Sequence, residues 1–141
     1  RLAAILRALG RAEQRVVLPL HPRTLQRIEK LGITLPSSIL ITDPVGYLEM
    51  VWLEAHASMI ATDSGGVQKE AFFHGKPCIT LRDETEWVEL VENGFNIITG
   101  ASKSKILNAY KDSINKSANF SIDLYGGGKA AQNIVKALKT L

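Results

Sequence analysis

The chain has 141 residues, of which 45% are hydrophobic and 22% charged, a composition typical of a folded globular domain rather than a disordered chain. Its formal net charge of +3 is too small, and its basic residues are too scattered, to indicate a nucleic-acid-binding protein. The three histidines lie far apart and there is a single cysteine, so no metal-ligand spacing occurs, and no apolar run approaches the roughly 20 residues that span a bilayer.

The single cysteine and the first residues bear on location and completeness. Cys78 lies in an apolar stretch and is expected to be a small buried side chain. Because it cannot form an internal disulfide, we expect a cytoplasmic location. Residues 1–6 contain no signal-peptide pattern and resemble the interior of a helix, so we expect the chain to be part of a longer protein.

Short apolar runs alternate with amphipathic segments along the whole chain. The apolar runs suit buried strands, whereas the amphipathic segments carry apolar residues three or four positions apart, as on one face of a helix. Gly32 and Gly75 follow two of these segments and are expected to end their helices. In chain order the pattern predicts strand 16–20, helix 24–31, strand 38–41, helix 47–57, strand 59–62, helix 66–73, strand 78–81, helix 86–92, strand 96–98, helix 103–114 and helix 129–138.

This alternation indicates an α/β fold. Continuous apolar strands joined by helices form βαβ units, and right-handed crossovers then give a Rossmann-like, doubly wound parallel sheet with helices on both faces. We expect residues 1–141 to form a single domain, with residues 129–141 as a C-terminal helix. Ligands of such sheets bind beyond the carboxyl ends of the strands. This rule selects the polar loops 21–23, 43–46, 62–66 and 82–86.

The loop between the third strand and its helix carries the strongest chemical signal. Ser64, Gly65 and Gly66 stand where the helix begins, so unpaired N–H groups and the positive end of the helix dipole meet a backbone without side chains. Such a site suits a pyrophosphate. The alternative is that Asp63 or Ser64 only caps the helix and the glycines form a tight turn.

Glu70 follows Gly66 by four positions and is therefore expected on the same helix face, one turn deeper. A carboxylate at that place can accept hydrogen bonds from both hydroxyls of a ribose whose phosphate lies at the helix start. An ordinary solvated glutamate is the alternative.

Further blocks stand in a fixed order around these loops. Together they resemble the C-terminal domain of the non-hydrolysing UDP-N-acetylglucosamine 2-epimerases, and the resemblance covers nearly the whole chain. The six blocks that carry it are residues 20–24 (LHPRT), 43–50 (DPVGYLEM), 62–70 (TDSGGVQKE), 75–77 (GKP), 82–87 (RDETEW) and 125–130 (YGGGKA).

The resemblance implies a fold and a set of contacts. The family is similar to the two-domain GT-B glycosyltransferases, in which the nucleotide sugar lies in a cleft between two Rossmann-like halves. This chain would be the C-terminal, UDP-binding half, with the N-terminal domain absent. The implied substrate-binding residues are Ser64, Gly65 and Gly66 for the diphosphate, Glu70 for the ribose hydroxyls, the segment from Val45 to Met50 along the uracil, and His21 at the cleft. For His21, a hydrogen bond to the local backbone is the alternative.

Two positions depart from the family pattern. Met50 stands where the family often has phenylalanine, so the expected contact with the base is apolar but not aromatic. Trp87 stands where many members have arginine, and Arg82 becomes the candidate for the missing cation. This version of the loop indicates a branch that includes relatives acting on other UDP-sugars, such as diacetamido-uronic acids.

The resemblance also implies an isomerase that acts in polysaccharide biosynthesis. Members interconvert UDP-GlcNAc and UDP-ManNAc by elimination and re-addition of UDP, which requires no cofactor and no metal. The acid and base groups belong to parts of the family outside these residues, so we assign no catalytic residue here and expect the fragment alone to be inactive. The expected partners are a UDP-sugar, the N-terminal domain of the same chain and a second copy in a homodimer, with no nucleic acid and no membrane.

Three other functions remain open from the sequence. One is an epimerase of another UDP-sugar, and another is a GT-B glycosyltransferase that uses a UDP- or GDP-sugar. The third is a non-catalytic, nucleotide-sensing domain. Glycosyltransferases share the fold and often a ribose-binding glutamate, but they usually lack the blocks at 64–70 and 82–86 together.

Overall fold

Helices and strands alternate along the chain in the computed structural model, which describes residues 1–115 and 118–140. The order matches the sequence pattern, and a helix at the start covers the residues that resemble a helix interior. The elements are α1 (Leu2–Leu9), β1 (Val16–Pro19), α2 (Pro22–Lys30), β2 (Ile39–Thr42), α3 (Tyr47–His56), β3 (Ile60–Thr62), α4 (Gly65–Phe73), β4 (Cys78–Thr80), α5 (Val88–Glu92), β5 (Asn96–Ile98), α6 (Lys103–Asn115) and α7 (Ala130–Leu138).

All strand pairs of the described residues are parallel, as the βαβ pattern predicts. β1 pairs with β2, with Val16 opposite Ile39. In a second ladder β4 lies between β3 and β5, with Cys78 opposite both Ile60 and Asn96. The hydrogen bonds therefore divide the five strands into a two-stranded and a three-stranded group. Within each group the carboxyl ends of the strands lie at one edge, where the ligand loops begin.

Helices α1 and α6 join the first part of the chain to the second. The two helices pack against each other. Tyr110 of α6 is buried, and its hydroxyl accepts hydrogen bonds from the backbone N–H groups of Glu13 and Gln14, at 3.2 and 3.3 Å. Apolar clusters complete the core around each ladder: Leu6, Leu20, Ile28 and Ile39 around β1 and β2, and Ile79, Ala109 and Tyr110 around β4.

The boundaries differ from the pattern where side chains determine the helix start. α2 begins at Pro22, two residues early, because proline suits the first helical position and His21 caps the helix. α5 begins at Val88, two residues late, because Trp87 bonds to the Thr85 hydroxyl instead of continuing a helix from Glu86.

Two further predictions concern burial and the chain end. Cys78 is fully buried, and this burial raises the pKa of its thiol to about 12. α7 covers Ala130–Leu138 of the predicted helix 129–141, whose final residue lies outside the described residues. None of the helices in the described part of the chain is long and apolar enough to cross a membrane.

Candidate functional site

The start of α4 presents unpaired donors to solvent. Ser64 is the N-cap, and its hydroxyl accepts from the Val67 N–H at 3.5 Å, near the limit for a hydrogen bond. Within the described residues the N–H groups of Gly65 and Gly66 have no acceptor. These two donors, at the positive end of a nine-residue helix, form an anion-binding geometry.

The N–H groups of Gly65 and Gly66 form a donor surface, and Gly66 leaves open space in front of it. A Cβ built at Gly66 would lie 3.8 Å from the Ser64 hydroxyl, its nearest neighbour, and the backbone there has a helical φ. The fold itself therefore has room for a side chain at Gly66. At Gly65, by contrast, a Cβ would overlap the Glu86 carboxylate, which is the mobile end of a flexible side chain. The bare backbone at Gly66 is free for a ligand to approach.

Glu70 lies on the same helix and meets the start of α3. The Tyr47 hydroxyl lies 3.5 Å from Glu70 Oε1, and the Glu70 side chain is half-buried. The segment 45–50, expected along the base, and Glu70, expected at the ribose, thus adjoin one another. Beside them lies an open groove of about 410 Å³, lined by Val17, Thr42, Val45, Leu48, Glu49, Trp52 and Leu53. Met50 is not among the residues that line it.

The loop after β4 contacts the start of α4. Arg82 forms an ion pair with Glu86 at 3.0 Å, and Glu86 lies beside Gly65. Trp87 donates its indole N–H to the Gly65 carbonyl oxygen at 2.8 Å. The structure therefore brings Arg82 close to the donor surface, but with its charge engaged by a carboxylate.

His21 is placed at the carboxyl end of β1 but is separate from these contacts. Its Nδ1 accepts a hydrogen bond from the Arg23 N–H at 3.2 Å and caps α2. This is the local backbone bond that was the alternative to a ligand contact. The exposed ring retains Nε2, which has no hydrogen-bond partner among the described residues.

Gln68 fixes the position of the whole α4 start. Its side chain is fully buried, and its Oε1 accepts from Thr80 Oγ1 at 3.2 Å, Thr85 Oγ1 at 2.7 Å and Asn96 Nδ2 at 3.2 Å. Its Nε2 donates to the Ser64 carbonyl oxygen at 3.3 Å. A single amide thus ties the N-cap of α4 to β4, β5 and the loop before α5.

Comparison with known proteins identifies the family to which the chain belongs. The sequence model described as UDP-N-acetylglucosamine 2-epimerase matches residues 1–139. The chain belongs to the UDP-N-acetylglucosamine 2-epimerase family. The resemblance inferred from the six sequence blocks is confirmed.

Two curated relatives show the range of activities in this family. The chain is 49% identical to the UDP-2,3-diacetamido-2,3-dideoxy-D-glucuronate 2-epimerase of Pseudomonas aeruginosa, over 100% of this chain and 40% of that relative. It is 43% identical to the UDP-N-acetylglucosamine 2-epimerase of Methanocaldococcus jannaschii, over 89% of this chain and 35% of that relative. The chain therefore spans 35–40% of the length of these two relatives.

Solved structures of family members share the fold. The structure of UDP-GlcNAc 2-epimerase from Methanocaldococcus jannaschii superposes with a TM-score of 0.86 at 38% identity, over 99% of this chain and 41% of that one. A crystal structure of the same enzyme in complex with UDP-GlcNAc and UDP gives a TM-score of 0.83, over 40% of its length. The expected Rossmann-like α/β fold of a GT-B-type enzyme is confirmed.

The sequence patterns missed the supporting role of Gln68, and they placed Tyr47 in the segment 45–50 without its contact with Glu70. Gln68 stands three and four positions before Ala71 and Phe72, both buried, so helical spacing alone places it on the inner face of α4. A polar residue on such a face requires buried partners, which was the available signal. Tyr47 carried no comparable signal, because its contact with Glu70 joins two helices.

A buried carboxylate lies behind the proposed nucleoside site. Glu54 of α3 is only 4% exposed, neither of its oxygens has a hydrogen-bond partner among the described residues, and His74 Nε2 lies 3.9 Å away. Burial, and secondarily the charge of Glu70, raise the pKa of Glu54 from 4.5 to about 7. The buried thiol of Cys78 also lies within its electrostatic influence.

Replacing Gln68 by leucine should destabilise the fold. The substitution leaves the buried donors of Thr80 and Asn96, and the half-buried hydroxyl of Thr85, without their acceptor, and each unpaired group costs about 1–3 kcal/mol. We expect the free energy of unfolding in urea to fall by at least about 3 kcal/mol. Gln26→Leu on the exposed face of α2 is the matched control; equal effects of the two substitutions would contradict the role of Gln68.

Glu54 should make stability depend on pH. Because its folded-state pKa is raised, the folded protein binds more protons than the unfolded chain between pH 4.5 and 7, so stability falls as pH rises through that window. Glu54→Gln should remove this loss. Its free energy of unfolding should exceed that of wild type by an amount that grows to about 3 kcal/mol between about pH 5 and pH 8. Glu49→Gln, an exposed change on α3, should show no such trend in urea unfolding followed against pH; a flat Glu54→Gln difference would contradict the prediction.

Proposed function

We propose that the protein containing this chain is a UDP-sugar 2-epimerase, in which these residues form the UDP-binding half. It interconverts UDP-GlcNAc and UDP-ManNAc. The observation that carries this proposal is the arrangement at α4: unpaired N–H groups at Gly65 and Gly66, with Glu70 one turn deeper beside Tyr47. The family membership, and the relative of known structure that binds UDP-GlcNAc and UDP, support it.

Each part of UDP has a matching surface in this proposal. The diphosphate accepts hydrogen bonds at Ser64, Gly65 and Gly66, where the helix dipole favours negative charge. Glu70 accepts the ribose hydroxyls. The uracil lies along the segment 45–50, and its apolar contacts come from Val45, which lines the groove, and from Met50 of the same segment.

Arg82 and His21 complete the proposed binding set. Arg82 contributes a positive field near the diphosphate, although its ion pair with Glu86 reduces that field. His21 uses Nδ1 to cap α2, so any contact with the ligand uses Nε2.

The proposed chemistry assigns leaving-group stabilisation to this half. During elimination UDP departs as an anion, and donors already oriented at the start of α4 stabilise the charge that develops on it. Re-addition of UDP from the same site restores the sugar at the other C2 configuration, and no external hydride acceptor takes part. Proton removal and return at C2 need acid and base groups, which we place outside residues 1–141. We propose a cytoplasmic, homodimeric enzyme.

A second candidate substrate is a UDP-diacetamido-glucuronate. The relative of Pseudomonas aeruginosa that acts on this type of sugar is 49% identical to the chain, compared with 43% for the UDP-N-acetylglucosamine 2-epimerase of Methanocaldococcus jannaschii. Both substrates carry UDP, so the surface described here serves either one.

Two substitutions should separate phosphate binding from ribose binding. Gly66→Ala places a methyl group where phosphate oxygens approach, and should weaken UDP by about 1.5–3 kcal/mol, the usual contribution of a hydrogen bond to a charged group. Uridine affinity should not change, and the stability of α4 should rise by up to about 1 kcal/mol, because alanine favours the helix. Glu70→Gln should weaken UDP and uridine alike by about 1–3 kcal/mol.

Titration calorimetry of the full-length protein that contains this chain, with UDP, UMP and uridine, measures these effects. Wild type should prefer UDP to UMP and bind uridine poorly. Equal affinities for uridine and UDP would contradict the phosphate site, and a Glu70→Gln variant that binds normally would contradict the ribose contact.

Deuterium exchange tests the epimerase itself. The full-length protein that contains this chain should catalyse the exchange of deuterium from heavy water into C2 of UDP-GlcNAc, and NMR follows that exchange. Residues 1–141 alone should bind UDP without exchange. Exchange with a UDP-diacetamido-glucuronate but not with UDP-GlcNAc would keep the mechanism and select the second substrate. Exchange by the isolated fragment would contradict the placing of acid and base groups outside this chain.

A further inference from the structure

The Lys69 side chain lies between two aromatic rings. Its ammonium is 4.3 Å from the ring centroid of Trp87 and 4.2 Å from that of Tyr125, both within the range of cation–π attraction. Among the described residues no carboxylate lies within salt-bridge distance of this ammonium. The stack joins α4 to the residue before α5 and to the loop before α7, and it is not part of the UDP contacts proposed above.

Both rings are held by hydrogen bonds of their own. The Tyr125 hydroxyl donates to Glu89 Oε1 at 2.6 Å, and this bond lowers the pKa of Glu89. Burial, and secondarily the same bond, raise the pKa of Tyr125. Trp87 is anchored through its backbone N–H to the Thr85 hydroxyl, at 3.2 Å, and through its indole N–H to the Gly65 carbonyl oxygen, at 2.8 Å. Through this indole bond, the stack of Lys69, Trp87 and Tyr125 contacts the backbone of the first turn of α4.

The carbonyl that Trp87 contacts is covalently linked to the proposed phosphate donor. Gly65 C=O and Gly66 N–H belong to the same planar trans peptide, so their directions are opposite and fixed relative to each other. In the helix this carbonyl also accepts the backbone N–H of Lys69, four residues on. The two donors hold the oxygen on the protein side, which leaves the Gly66 N–H directed outward, and donation to the oxygen polarises that N–H further.

We propose that Trp87 and Lys69 are positioning residues for the diphosphate. The indole N–H of Trp87 fixes the Gly65–Gly66 peptide, and the Lys69 ammonium between Trp87 and Tyr125 fixes the indole. This inference rests on the proposed function, because it assigns a role to residues that support the phosphate site. It predicts an effect on ligands that carry phosphate and none on the nucleoside.

Trp87→Phe is the direct test, since it keeps an aromatic ring against Lys69 and removes only the indole N–H. Introduced into the full-length protein, it should lower the affinity for UDP roughly 3- to 10-fold, the effect of one net hydrogen bond. The affinity for uridine, measured by the same calorimetric titration, should not change. A merely structural role would lower the melting temperature and weaken both ligands in parallel, because the whole cleft would be disturbed. That result would overturn the proposal.

Lys69→Met tests the second part, since it keeps the length and packing of the side chain but removes the charge. It should also weaken UDP selectively, and the Trp87→Phe/Lys69→Met double variant should lose less than the product of the two single effects, because both act through one peptide. Lys30→Met, an exposed change on α2, controls for net charge and should leave UDP affinity unchanged. Independent effects, or an equal loss in Lys30→Met, would overturn the role of Lys69.

The wild-type titration separates this inference from the function on which it rests. If wild type binds UDP no better than uridine, the proposed function fails, and the positioning role fails with it. If wild type prefers UDP and Trp87→Phe preserves the full preference, only the positioning role is overturned.

Discussion

The buried amide of Gln68 holds together the part of the molecule on which the proposed site depends. Its oxygen accepts hydrogen bonds from β4, from β5 and from the loop before α5, while its nitrogen donates to the carbonyl of the N-cap residue Ser64. Donors from separate elements thus converge on one acceptor in a buried environment, where an unpaired group is costly. This network fixes the helix start against the sheet, so binding an anion there requires little rearrangement of the backbone.

The first turn of α4 is held from within the protein and left open towards solvent. Gln68 holds the Ser64 carbonyl and Trp87 holds the Gly65 carbonyl, so two successive peptides have their oxygens engaged. The opposite ends of those peptides, the N–H groups of Gly65 and Gly66, are left available for a ligand. Water is a general partner for such donors at helix starts, and the proposed diphosphate would replace it.

The sequence predicts most of the fold, because its signals are local. Alternating apolar and amphipathic segments identify the strands and later helices, and β5 is predicted at its observed limits, 96–98. The starts of α2 and α5 deviate because they depend on side-chain contacts, such as the His21 cap and the bond from Trp87 to Thr85. The position of the ligand loops at strand ends follows from the parallel topology alone.

The contacts that support the site could not be predicted from local sequence patterns. Gln68 finds partners 12, 17 and 28 positions along the chain, and Trp87 meets Gly65 across 22 positions. Periodicity places such residues on a face or in a loop, but it does not identify the atoms that they meet. The motif at 64–70 therefore predicts the groups proposed to face the ligand, whereas the groups that orient them are found only in the tertiary packing.

Under the proposed function, this division between oriented backbone and exposed donors bears on how one domain serves several UDP-sugars. The proposed reaction breaks and re-forms the bond between the sugar and the diphosphate, and the charge of departing UDP develops at the start of α4. Stabilisation of that charge depends on peptide orientation and the helix dipole, neither of which depends on the sugar substituents. A relative named for a diacetamido-glucuronate is accordingly 49% identical to this chain over the 40% of its length that the chain matches. In the proposed reaction, substrate choice changes through contacts to the sugar, while the nucleotide half keeps the same leaving-group chemistry.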